Sequence, residues 1–197
     1  MSFYTRFVSG VFFPLHEYLK GHETVRVRRE MEKTQWFEPD KIEVLQLNNL
    51  RQFLTSVEQH VPYYRELFAK LNFIPSDIVC LEDLRHLPLT EKSFIRANME
   101  QLKAENAVGL SRFNTGGSSG EPLIFYIGKE RVSHDVAAKW RATRWWGVDI
   151  GDAEVVVWGS PIELGTQDRV RQFRDGILRT SLLPAFQMSK DKLDSFI

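Results

Sequence analysis

The sequence predicts an α/β protein, with a mainly helical region over residues 1–105 and the first part of an α/β core over residues 106–197. Three observations carry this. Apolar residues recur at helical spacing through the first hundred positions. Near Asn106 the composition turns to short β-branched and aromatic runs separated by turn residues. A continuous apolar run, Val155-Val156-Val157-Trp158, then follows a long helical stretch, the alternation that builds a sheet flanked by helices.

The elements follow in order. In residues 1–20 the apolar positions 4, 7, 8, 11, 12 and 15 keep helical spacing, interrupted by Pro14, His16 and Glu17. The run is too short to span a bilayer and has no small-residue cleavage site. The preferred reading is a helix packed on the domain; peripheral membrane contact is the lesser alternative. Glu38-Pro39-Asp40 opens a helix whose stripe is Ile42, Leu45, Leu50, Phe53, Leu54, Val57 and Val61, ended by Pro62. Tyr64, Leu67, Phe68 and Leu71 mark a second helix, and 72–77 a loop. Thr90 is the expected N-cap of a helix bearing Phe94, Ile95, Met99 and Leu102. Strands are expected over 108–114 and 123–127, and a helix over 129–146 punctuated by Gly147 and Gly151. Residues 155–158 read as a strand buried on both faces. A short helix over 168–175 closes at Gly176, and 177–186 reads as a further strand. Ser189 can cap a last helix, begun but not closed before Ile197.

Composition excludes several functions. Twenty-six basic residues balance 26 acidic ones, so no bulk attraction to nucleic acid is expected. The basic residues of 129–146 read as a solvated helix face, and Trp140, Trp145 and Trp146 as core. The single cysteine, Cys80, cannot form an internal disulfide. Its apolar neighbours make it an inert thiol, and reducing surroundings place the protein in the cytoplasm. His16, His22, His60, His86 and His134 have no metal-pair spacing, so no metal ligands are expected.

The segment with chemistry is Thr115 to Pro122, reading Thr-Gly-Gly-Ser-Ser-Gly-Glu-Pro. A phosphate needs several convergent donors. Gly116, Gly117 and Gly120 let backbone N–H groups turn inward without a Cβ clash, and Thr115, Ser118 and Ser119 add hydroxyls. No Gly-Lys-Ser/Thr ending makes it a Walker loop and no Gly-x-Gly-x-x-Gly opens a helix; Gly116-Gly117-Ser118-Ser119-Gly120 matches Gly-x-Ser-x-Gly in letters, but no helix directly follows to make the strand-to-helix elbow of a Ser-His-Asp hydrolase with Ser118 or Ser119 as nucleophile. Composition alone leaves a phosphate loop and a plain hairpin turn equally open.

The order of residues resembles the phosphate loop of the adenylate-forming superfamily. The context resembles its phenylacetate–CoA ligase-like branch, which includes capsular polysaccharide biosynthesis proteins. His60-Val61-Pro62-Tyr63-Tyr64-Arg65 and Leu87-Pro88-Leu89-Thr90-Glu91-Lys92 precede the loop. Trp140-Arg141-Ala142-Thr143-Arg144-Trp145-Trp146-Gly147, Gly151-Asp152 and Val157-Trp158-Gly159-Ser160 follow it. The resemblance implies that residues 106–197 begin the large nucleotide-binding α/β domain of that superfamily. It implies ATP and Mg²⁺, a small carboxylate activated as its adenylate, and coenzyme A as the acceptor. Thr115, Gly116, Gly117, Ser118, Ser119 and Gly120 would hold the β- and γ-phosphates, and Trp158, Gly159 and Ser160 would border the acyl pocket.

Two departures qualify it. Glu121 stands where lysine is common in the superfamily, and a carboxylate there repels phosphate unless it points away or meets Mg²⁺. The later aromatic-x-Thr-Glu motif, the ribose-binding aspartate and the catalytic lysine have no counterpart in this sequence. The expectation is a truncated N-terminal part of the ligase, with no catalytic residue of its own and apolar surface open to association. The alternative is a non-catalytic remnant or binding module that keeps the fold without turnover.

Overall fold

The computed structural model describes residues 1–115, 122–158, 169–185, 189 and 194. Among them lie eight α-helices: α1 (Phe3–Phe7), α2 (Phe13–Leu19), α3 (Thr24–Thr34), α4 (Pro39–His60), α5 (Pro62–Leu71), α6 (Lys92–Ala97), α7 (Lys129–Arg144) and α8 (Arg169–Leu178). The strands are β1 (Ser111–Asn114), β2 (Ile124–Ile127), β3 (Glu154–Trp158) and β4 (Thr180–Pro184). The mixture of helices with small sheets agrees with the α/β expectation. The chain divides into two compact units, residues 32–132 and residues 1–31 with 133–197. The boundary expected after residue 105 falls inside the first of these, so compact units and expected regions cut the chain differently.

In the unit of residues 32–132, Pro39 and Pro62 occupy first-turn positions of α4 and α5. Their missing N–H groups cost nothing there, and the fixed φ favours helix entry. Asn72 ends α5 in the left-handed conformation, with φ 50°. The expected stripe supplies the core. Leu54, Phe68 and Ile78 are buried together, surrounded by Leu47, Leu50, Val57, Tyr64 and Leu67. Phe53, assigned to the same stripe, is instead exposed. Helix α6 is capped by Glu91 rather than Thr90, without a side-chain hydrogen bond. Cys80 is partly buried, and that burial pushes its thiol up, in keeping with an inert cysteine.

In the other unit, α1 and α2 are joined by a π-helical turn over Val8–Phe12. The inward residues are Thr5, Val8, Phe13 and Glu17. Val8 and Phe13 are five apart, which in an α-helix puts them about 140° out of phase. The wider turn lets both face inward. It also sits just before Pro14, whose ring would otherwise meet the carbonyl of Gly10. The expected apolar stripe is therefore not the packing face: Tyr4, Phe7, Val11 and Leu15 are exposed. The polar Thr5 and Glu17 go inside because each finds partners there.

Glu17 is buried. It accepts hydrogen bonds from Thr24 Oγ1 at 2.5 Å and His22 Nδ1 at 3.0 Å. His16 Nδ1 lies 3.2 Å from its other oxygen, without hydrogen-bond alignment. Burial pushes the Glu17 carboxyl up, but Thr24 and His22 outweigh it and hold the group below its ordinary 4.5. A folded value below the unfolded one contributes stability that is fully present above pH 4.5 and lost as pH falls through the lower folded value. Glu17→Gln is expected to be less stable at neutral pH and to have a flatter acid limb. Thermal melts at a series of pH values check this; parallel acid limbs would contradict it.

Strands β3 and β4 pair in parallel, from Glu154 opposite Thr180 to Trp158 opposite Pro184, with α8 in the connection between them. The expectation that 155–158 is buried on both faces is not met. Val155 and Val157 are over half exposed, and Val156 alternates with them. In the described residues the sheet has two strands, and the outward face carries no covering layer. Gly176 lies inside α8 rather than closing it; the left-handed residue after the helix is Arg179, φ 57°. The helix expected beyond Ser189 lies largely outside the described residues.

Candidate functional site: the β1–β2 hairpin

β1 and β2 form an antiparallel pair in the register Ser111–Ile127, Arg112–Tyr126, Phe113–Phe125 and Asn114–Ile124. Phe113 and Phe125 stack across the strands with ring centroids 6.3 Å apart, and the Lys103 ammonium lies 5.0 Å from the Tyr126 ring. Thr115 closes the ladder twice. Its N–H donates to the Leu123 carbonyl at 2.9 Å, and its Oγ1 accepts from Leu123 N–H at 3.0 Å. The Gly-Ser segment is thereby the connection of a hairpin whose two ends are held together. Gly116, Gly117, Ser118, Ser119, Gly120 and Glu121 themselves lie outside the described residues.

The motifs before the loop meet at the base of this region. In His60-Val61-Pro62-Tyr63-Tyr64-Arg65, Val61 is buried and Pro62 begins α5. His60 carbonyl accepts from Glu105 N–H at 2.8 Å, and Tyr63 N–H donates to the Gln101 carbonyl at 3.1 Å. Arg65 donates to Glu105 at 2.6 Å and to the Gln59 carbonyl at 2.6 Å. The Tyr63 ring also packs 4.9 Å from Phe94 of α6, the helix that Leu87-Pro88-Leu89-Thr90-Glu91-Lys92 introduces. The motif thus fixes the segment leading into β1. The sequence places Val61, Pro62 and Tyr64 at the junction of two helices, and the proline there is the signal that the motif forms a structural joint.

The later motif residues belong to the other unit. Trp140 is buried, and its indole N–H donates to Asp149 Oδ1 at 2.5 Å; Arg144 donates to Asp149 Oδ2 at 2.5 Å. The Arg28 guanidinium lies 4.3 Å over the Trp140 ring, and Phe13 meets that ring edge-on at 5.1 Å. Asp152 accepts from Thr5 Oγ1 at 2.6 Å and from Asp149 N–H at 2.9 Å, and Thr5, then the Asp149 amide, hold its carboxyl below the usual range. Trp140 is core, as expected, but Trp145 and Trp146 are exposed. A cleft of about 480 Å³ opens beside this network, lined among others by Trp140, Ile150, Val156 and Leu178. Trp158 is placed as the last residue of β3, and Gly159 and Ser160 lie outside the described residues.

Among the described residues, no three His, Cys, Asp or Glu side chains cluster as metal ligands, and no helix is long and apolar enough to cross a membrane.

No family model matches the chain. Two characterised proteins resemble it in part. Over 89 residues it is 35% identical to phenylacetate-coenzyme A ligase of Pseudomonas putida, covering 43% of this chain and 20% of that protein. Over 130 residues it is 26% identical to the protein CapK of Staphylococcus aureus, covering 66% of this chain and 27% of that protein. The resemblance to the phenylacetate–CoA ligase-like and CapK branch, read from the motifs, is thus found in two proteins. The chain spans about a quarter of the length of these relatives.

Proposed function

We propose that this chain carries the triphosphate-holding hairpin of an ATP-dependent, carboxylate-activating ligase. The observation that supports it most is the closed antiparallel hairpin, which presents Gly116 to Glu121 as its connection between tethered ends. A loop with fixed ends loses less freedom on gripping a ligand than an open one.

The donor set fits a polyphosphate. The Thr115 N–H is spent on the hairpin, and its Oγ1 accepts from Leu123, but the hydroxyl hydrogen takes no part in that bond. Ser118 and Ser119 add two hydroxyls, and the three glycines add N–H groups with no side chain in the way. In this reading these groups hold the β- and γ-phosphates and stabilise negative charge as it develops on them. Mg-ATP supplies the electrophilic phosphorus that a carboxylate attacks. Glu121 fits this reading only on the condition that its carboxylate avoids the phosphates or meets their cation. Trp158 ends β3 and Gly159 and Ser160 come next in the sequence, at the strand end where α/β sheets place ligand-contacting loops; in this reading the three border the acyl group. Ligation of the acyl group to coenzyme A is proposed for the longer protein that the relatives represent.

Hydrogen exchange tests the reading locally. Mg-ATP should slow amide exchange across 115–123 more than elsewhere in residues 32–132. Uniform or absent protection would leave the segment a plain hairpin turn.

A further inference from the structure

The face of α1 and α2 turned away from their own unit is a continuous apolar stripe. Phe3, Phe7, Val11 and Leu15 follow one another at steps of four, and Tyr18 and Leu19 complete the last turn. Phe3 is 88% exposed, Tyr18 77% and Leu19 75%; Phe7, Val11 and Leu15 are each just over half exposed. In a uniform α-helix, Leu15 would lie about 120° around from Phe3. The π-helical turn over Val8–Phe12 takes up much of that drift and keeps the stripe on one side. The same turn keeps Val8 and Phe13 inward, so one irregularity serves both faces.

Scattered apolar residues on a surface need no explanation, but an ordered row on one helix does. The charges around it select the partner. Glu17 is the only carboxylate among residues 1–20, and it is buried. The exposed charged side chains there are Arg6 and Lys20, both positive. A second copy docked face to face would bring like charges together. An anionic lipid surface would accept both the row of rings and aliphatics and the two cations.

We infer that α1 and α2 form an interfacial anchor. The segment lies in the plane of an anionic bilayer with Phe3, Phe7, Val11 and Leu15 in the headgroup–acyl boundary. Thr5, bonded to Asp152, and Glu17, bonded to Thr24, hold the helix to its unit from the opposite face. This anchor does not depend on the hairpin's ligand.

Flotation of the purified chain with vesicles tests it. Wild type should float with vesicles of phosphatidylglycerol and phosphatidylcholine in equal parts, and less with phosphatidylcholine alone. Phe3→Ser with Phe7→Ser, and separately Arg6→Glu with Lys20→Glu, should each lower partitioning to the anionic vesicles about tenfold or more. All four positions are exposed, and unchanged far-ultraviolet circular dichroism shows that the variants remain folded. Wild type that stays unbound overturns the anchor, as does flotation that both folded double variants retain. Sedimentation showing a dimer that Phe7→Ser dissociates, with no flotation, overturns it in favour of a second copy.

Discussion

Gly151→Ala is expected to destabilise the unit of residues 1–31 and 133–197 by about 3 kcal/mol. Two costs combine. Gly151 has φ +97°, where an L-residue is strained whatever the space around it. A Cβ built there would also lie 2.8 Å from Val8 Cβ, 3.0 Å from Val8 Cγ1 and 3.4 Å from Thr5 Cα. Val8 is almost fully buried and cannot swing into solvent, and Thr5 is held by its bond to Asp152. The inner face of α1 must therefore shift. Gly176 is the internal comparison: it sits inside α8, and a Cβ there meets nothing within 4 Å. Gly176→Ala should stabilise by about 0.5–1 kcal/mol. Urea unfolding of the two variants should move in opposite directions, and a neutral Gly151→Ala would contradict the close approach of α1.

The second large effect is expected at Asp149, whose side chain is 1% exposed. Its carboxylate accepts the indole N–H of buried Trp140, the guanidinium of Arg144 and the N–H of Ile150. Asp149→Ala should cost about 2–3 kcal/mol, chiefly by leaving the indole N–H and the local backbone without this acceptor. The Arg144 pair adds less, because that side chain is 37% exposed and solvent screens it. Asp149→Asn keeps an oxygen for the indole but can turn an amide toward Arg144, so its loss should be smaller. A thermal melt that ranks Asn below Ala in stability would argue that the charge, not the hydrogen-bonded shape, dominates.

Much of the helical part was legible because its signals are local. Prolines at first-turn positions set the starts of α4 and α5, and the stripe through Leu50, Leu54 and Val57 reaches the core that it predicts. The hairpin was equally legible, since glycine, serine and proline between two β-rich runs leave few other readings. The inner face of α1 and α2 was not. Periodicity puts apolar residues inward, whereas Thr5 goes inward to meet Asp152 far along the chain, and Glu17 to meet His22 and Thr24 just beyond its own helix. A five-residue step through a π-helical turn also has no 3.6-residue signature. Likewise, Val155 to Trp158 reads as a doubly buried strand, but the number of layers over a strand is a tertiary fact that its own residues do not encode. The motif Trp140 to Gly147 carried a resemblance but not its reason: the buried tryptophan and the aspartate nine residues on are partners.

Calorimetric titration of the 197-residue chain with Mg-ATP, beside Gly117→Val, decides whether the hairpin grips a triphosphate. A β-branched side chain at position 117 removes the conformational freedom that lets a glycine backbone turn its N–H toward phosphate. Wild type is expected to bind, and the folded variant to lose affinity by about tenfold or more. Equal affinity in the two, or no binding by wild type, would contradict that grip.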